Sequence, residues 1–120
     1  MKREFLLAKI HRATITHSNL HYTGSLTIDE ELLEKSGIAP NERVHVFNIS
    51  NGQRFETYAL KGEKGSREIG LNGAAARLGV VGDSIIIVAY CYLAPEEIPG
   101  HSARVLILGP GNVIEESFES

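Results

Sequence analysis

The residues able to do chemistry fall into a few short groups. Tyr22-Thr23-Gly24-Ser25 is the first. Gly-Ser is an ordinary turn pair. It also suits a backbone rearrangement. A serine hydroxyl can attack the carbonyl of the residue before it, giving an ester. Elimination and hydrolysis would then leave a pyruvoyl group on the new N-terminus. Glycine at the preceding position offers backbone freedom and no side-chain obstruction. By the pair alone, the ordinary turn is the plainer reading.

A second group follows Asn51-Gly52. Arg54, Glu56 and Tyr58 share parity on a predicted strand, so they share a face. Arg54 can grip a carboxylate through two N–H groups. Tyr58 can give up a proton. Lys9 and His11 likewise share parity and aim a cation and a titratable donor from one strand face. The plainer reading of both sets is solvent-facing strand. Asn72-Gly73-Ala74-Ala75-Ala76 is compact enough for a ligand to approach its backbone. The start of a helical turn offers free N–H groups to an anion. A tight strand-to-helix connection is the plainer reading of the motif alone. His11, His17 and His21 also share parity, but Ser18-Asn19 reads as a turn that breaks the strand. No cysteine pairing or HExxH spacing accompanies them, so no metal site is expected.

Short β-rich runs must position these groups. Glu4–Ile10, Arg12–His17 and Ser25–Ile28 are strand candidates, as is the run carrying Val44, Val46 and Ile49. Asn51-Gly52 is a strong hairpin signal, with Gln53–Leu60 as partner strand. Arg67–Leu71, Ser84–Leu93 and Ala103–Leu108 complete the set, and Ile85 to Val88 suits burial on both faces. Thr27-Ile28-Asp29-Glu30 has a capping-box pattern before a short helix that Gly37 stops. Gly73–Leu78 reads as one or two helical turns ended by Gly79, and the acidic tail 112–120 as frayed. Six or seven strands and two short helices suggest one mainly β domain over 1–120, a small closed barrel without free sheet edges.

Composition narrows the function classes. A chain of 120 residues is one domain by default. It has no room for a nucleotide-binding domain beside a substrate domain. An enzyme of this size works without a large cofactor or builds its site between subunits. The net charge is −3, a poor footprint for a nucleic-acid binder. The imbalance is local: Lys2, Arg3, Lys9 and Arg12 against Glu4 make residues 1–24 +3 and leave −6 for the rest. Cys91 is the only cysteine, which excludes an intrachain disulfide and fits a reduced, cytoplasmic setting. The apolar run Ile85 to Ala94 is ten residues, about half a membrane-spanning helix, and no signal-peptide pattern opens the chain.

Taken together, Lys9-Ile10-His11-Arg12, Asn19-Leu20-His21-Tyr22, Gly24-Ser25, Asn51-Gly52-Gln53-Arg54-Phe55, Thr57-Tyr58, Gly65-Ser66-Arg67 and Asn72-Gly73-Ala74-Ala75-Ala76 resemble the pyruvoyl-dependent aspartate 1-decarboxylase family. Order and spacing fit over about residues 1–93, and the part after about Pro95 fits weakly. The resemblance implies a six-stranded double-psi β-barrel assembled as a homotetramer. It implies self-cleavage between Gly24 and Ser25, giving a β-chain 1–24 and an α-chain 25–120 that begins with a pyruvoyl group made from Ser25. The implied reaction is L-aspartate to β-alanine and CO2 through an imine with that group, in pantothenate and coenzyme A synthesis. Tyr58 resembles the family's proton donor. Thr57 resembles the residue that assists cleavage by hydrogen-bonding the Gly24 carbonyl. Lys9, His11 and Arg54 resemble its carboxylate-binding cluster; Thr57, Asn72, Gly73, Ala74 and Ala75 resemble its substrate contacts. Phe47 stands where relatives often carry tryptophan, keeping the ring and losing an N–H donor. No residue pattern identifies a maturation helper protein.

Two readings compete. A non-enzymatic β-barrel regulator could bind DNA through the basic first segment, though no helix-turn-helix pattern accompanies it. A hydrolase could use intact Ser25 as nucleophile, but a G-x-S-x-G elbow is missing.

Overall fold

A computed structural model describes residues 1–120 as a mainly β fold. Strand β1 spans Arg3–Thr14. Ala8 and Ile10 point into the core, with Lys9 and His11 half-buried on the other face. Arg12 then takes a left-handed φ of 65°, and the register against the neighbouring strand slips between His11 and Ala13. This bulge resets the alternation, so Ala13 and Ile15 are again buried. The two strands expected here are therefore one. The parity shared by His11 and His17 is broken at Arg12 rather than at Ser18-Asn19. Those two residues belong to a short strand β2, His17–Asn19, and not to the expected turn.

Strand β3, Ser25–Asp29, runs directly into helix α1, Glu30–Ser36. Asp29 caps the helix by accepting from the Glu31 N–H at 2.8 Å. The expected cap at Thr27 is thus two residues early; Thr27 is part of the strand. Leu32 and Leu33 bury the helix against the core, and Gly37 ends it with a left-handed φ of 81°. Strands β4, Arg43–Asn48, and β5, Arg54–Gly62, form the expected antiparallel hairpin, with Arg43 opposite Tyr58 and Phe47 opposite Arg54. Asn48 organises its turn: Oδ1 accepts from Ser50 N–H at 2.9 Å and Asn51 N–H at 3.2 Å.

Strand β6, Ile69–Asn72, is followed by a 3-10 helix at Gly73–Leu78, where helical turns were expected. Strand β7 spans Ser84–Leu93 and β8 spans Arg104–Leu108. The tail expected to fray instead pairs: β9, Ile114–Glu119, lies antiparallel on β8. Buried Asn112 anchors it, accepting from Thr14 N–H at 2.7 Å and donating to Thr14 O at 3.0 Å and Arg67 O at 2.9 Å. Long-range bonds of this kind leave no sequence pattern.

The hydrogen-bonded order is β2-β6-β3-β5-β4-β7-β1-β8-β9. It returns to its own chain, because only Ile15 and Thr16 separate β1 from β2. Thr16 N–H donates to Ile69 O at 2.8 Å and Ile69 N–H to Thr16 Oγ1 at 2.9 Å. These bonds tie the link between β1 and β2 to the start of β6. Ile10, Ile28, Val46, Leu71, Ile87 and Leu106 fill the interior with no exposed surface.

Candidate active site

Strand β3 is paired on both sides, parallel to β5 and antiparallel to β6. That double register puts Ser25 opposite Asn72 and brings the β5 side chains beside residue 24. A cleft of about 200 Å³ results, lined by Gly24, Ser25, Thr57, Tyr58, Asn72, Ala74 and Ala75, with Phe55, Glu56 and Leu78. Seven of the residues expected at the site meet there. Gly73 joins them from behind: a Cβ on it would lie 2.6 Å from Gly24 Cα.

Ser25 is 2% exposed, and its Oγ has no hydrogen-bond partner. Leaving a buried hydroxyl unpaired costs about 1–3 kcal/mol. Ser25 also has a φ of 139°, a region that favours glycine. Two costs at one residue mark a site held by its surroundings. Next to it, Tyr58 Oη donates to the Gly24 carbonyl oxygen at 2.9 Å. The bond expected from Thr57 is therefore made by Tyr58, while Thr57 lines the same cleft. Donation to a carbonyl oxygen withdraws charge from its carbon, which favours attack by a nucleophile. Asn72, itself buried, is held by donating to Thr27 Oγ1 at 2.8 Å. Thr27 and Glu56 were not expected at the site. Glu56's parity with Arg54 and Tyr58 was the available signal; Thr27 had none.

Lys9, His11 and Arg54 do not line this cleft. His11 Nδ1 is buried without a partner. Burial, then the positive charges of Lys9 and Arg12, push the His11 pKa below its ordinary value, favouring the neutral ring. The Arg54 guanidinium lies over the Phe47 ring, 4.1 Å from its centroid. Phenylalanine at 47 thus keeps a face for the cation without an N–H. Glu56 is paired with Arg43 and lies 3.1 Å from His45 Nε2. The hydrogen bond from Arg43 holds the Glu56 carboxyl below the usual carboxylate range. A larger cleft of about 400 Å³, lined by Glu4, Glu42, Arg43, His45, Tyr90 and Tyr92, shares no residue with the one around Ser25. No three His, Cys, Asp or Glu side chains are grouped to hold a metal ion, and no helix is long and apolar enough to cross a membrane.

Residues 1–115 match the family model described as aspartate decarboxylase. The match continues well past Pro95, further than the motifs alone reached. Among similar proteins, the aspartate 1-decarboxylase of Caldicellulosiruptor bescii is 60% identical, covering 92% of this chain and 87% of its own length. That of Desulfotalea psychrophila is 53% identical, covering 97% and 98%. That of Sulfurimonas denitrificans is 51% identical, covering 100% and 99%. Matches of this extent, with the motif residues gathered around Ser25, establish that the chain belongs to the aspartate decarboxylase family.

Proposed function

We propose that this protein decarboxylates L-aspartate to β-alanine and CO2, using a pyruvoyl group that it makes from Ser25. The observation that carries the reading is the pairing of an orphaned, buried Ser25 Oγ with a Gly24 carbonyl already hydrogen-bonded to Tyr58. An unpaired nucleophile beside a polarised carbonyl is the arrangement that an acyl shift needs.

The processing steps use this chain's own atoms. Ser25 Oγ loses its proton and bonds to the Gly24 carbonyl carbon. The Gly24–Ser25 C–N bond breaks, the nitrogen takes up a proton, and an ester remains. Loss of the Ser25 Cα proton then expels Gly24 as a carboxylate and leaves a dehydroalanine. Water replaces its nitrogen, which departs as ammonia, and the ketone of the pyruvoyl group is complete. The fragments are 1–24 and 25–120. Bound in this way, the pyruvoyl group supplies an electron sink for the charge left at the substrate Cα when CO2 departs.

The remaining roles fall to side chains. Tyr58, freed from the Gly24 carbonyl after cleavage, returns a proton to Cα. Asn72, with the backbone of Gly73, Ala74 and Ala75, positions the substrate beside residue 25, and Thr57 helps hold it. Aspartate brings two carboxylates, and Arg54, Lys9 and His11 are suited to bind them. They lie outside the cleft of their own protomer. The proposal therefore includes a homotetramer in the cytoplasm, in which one protomer's cations complete a neighbour's cleft. The carboxylate that leaves must be held less firmly than the one that stays, because equal grip on substrate and transition state does not speed the step. The DNA-binding alternative rests only on the +3 charge of residues 1–24 and is not favoured.

Intact mass under denaturing conditions tests the reading. The expected result is two species divided at Gly24/Ser25, with Ser25→Ala giving one species and no CO2 from aspartate. A wild-type chain that stays whole through long incubation refutes autonomous processing, and CO2 release by Ser25→Ala refutes the pyruvoyl assignment.

A further inference from the structure

Segment Asn72-Gly73 touches both sides of the scissile bond. On the downstream side, Asn72 is the antiparallel partner of Ser25, so the β3–β6 register fixes the nucleophile's backbone. On the upstream side, Gly73 presses against the chain before the bond. A Cβ on Gly73 would stand 2.6 Å from Gly24 Cα, 2.9 Å from Gly24 N and 3.0 Å from Tyr22 O. All three are backbone atoms, so no side chain can swing away. A Cβ on Gly24 itself would meet only Asn72 O, at an ordinary 3.7 Å. Space therefore demands glycine at 73 and not at 24. The Gly73 φ of 63° adds a conformational preference, but asparagine also tolerates that region.

We infer that Gly73 is a positioning residue for self-cleavage: its missing Cβ lets the Tyr22–Gly24 segment seat against the start of the 3-10 helix, holding the Gly24 carbonyl within reach of Ser25 Oγ. The inference rests on the cleavage proposed above. Any side chain at 73 must push Gly24 away by about 0.8 Å to restore ordinary contact. A misplacement of about 1 Å at a reacting atom costs roughly 100-fold in rate. Because Asn72 keeps Ser25 in its ladder while Gly24 is displaced, the two reacting groups separate rather than move together.

Gly73→Asn is the test, since asparagine keeps the backbone conformation available and adds the obstructing Cβ. Gly52→Ala is the control: Gly52 has a comparable φ of 78° with open space around it and does not line the cleft. Cleavage is followed by intact mass with and without hydroxylamine, which severs an ester once formed. Folding is followed by circular dichroism and thermal melting. The expected result is a folded Gly73→Asn chain that splits roughly 100-fold more slowly than wild type. Hydroxylamine should not rescue it, because the ester does not form. Gly52→Ala should split at the wild-type rate. A folded Gly73→Asn chain that splits normally, or one that hydroxylamine severs as readily as wild type, overturns the inference. An unfolded Gly73→Asn chain also overturns it, since glycine would then serve the fold as a whole. If wild type fails to split, the cleavage reading falls with it; if only the variant behaves as wild type, that reading stands and the role of Gly73 does not.

Discussion

Tyr58→Phe deletes one atom, the Oη that donates to the Gly24 carbonyl at 2.9 Å. The reasoning above gives this atom two jobs, and the structure sets their sizes apart. In the uncleaved chain Tyr58 is 41% exposed, so water can replace part of the lost bond. A neutral hydrogen bond of this kind is worth about 0.5–1.5 kcal/mol. At about 1.4 kcal/mol per tenfold, that slows ester formation by roughly 2- to 12-fold. After cleavage the same hydroxyl is the proton source for Cα, and removing a positioned acid costs about 10²–10⁴-fold in turnover. The variant should therefore cleave somewhat slowly, reach full cleavage with time, and then turn over at 1% of wild type or less. Intact mass at timed points gives the first rate. CO2 release from labelled aspartate, divided by the cleaved fraction, gives the second. Wild-type turnover per cleaved chain would remove Tyr58 as proton donor. Complete failure to cleave would show that its bond to Gly24 is essential rather than auxiliary.

Other outcomes concern the stability of the fold. Asn48 is buried and its Nδ2 donates to Leu78 O at 3.2 Å and to Asp83 Oδ2 at 3.0 Å while its Oδ1 holds the hairpin turn. Asn48→Ala should cost about 2–3 kcal/mol, moving the urea midpoint down by about 1–2 M; a shift under about 0.3 M would contradict the hub role. His11 favours its neutral form in the fold, so the unfolded chain takes up its proton first as pH falls through about 6.5. That part of the stability is present above 6.5 and declines below it. Urea unfolding at pH 8, 6.5 and 5 should show wild type losing more stability toward acid than His11→Gln, and an equal or smaller loss would contradict the burial of the ring.

What could be read in the residues was local. Asn51-Gly52 between β-rich runs predicts the β4–β5 hairpin because turn geometry depends on neighbours in sequence. The run from Ile85 to Val88 predicts a buried strand for the same reason. Alternation misled where one residue reset it: Arg12, at a φ of 65°, has no composition that announces a bulge. The acidic tail looked too polar to order, but backbone pairing on β8 and the side chain of Asn112 hold it, and neither depends on the tail's own hydrophobicity.

The same division runs through the site. By itself the sequence determined which groups can react: a serine behind a glycine, a tyrosine and threonine side by side, a small-residue turn, and two cations and a histidine with family spacing. Only the tertiary structure decided which of them meet. Parity assigns a side chain to a face of its strand but does not say which strand lies beyond that face. The parallel β3–β5 and antiparallel β3–β6 registers bring Tyr58 and Asn72 to residues 24 and 25. Lys9, His11 and Arg54 do not line that cleft within one chain, and the Arg54 guanidinium lies over the Phe47 ring instead. The family resemblance named Thr57 as the donor to Gly24. Strand register gave that bond to its neighbour, because a hydrogen bond depends on which oxygen lies within 3 Å, and pairing across 34 residues sets that distance.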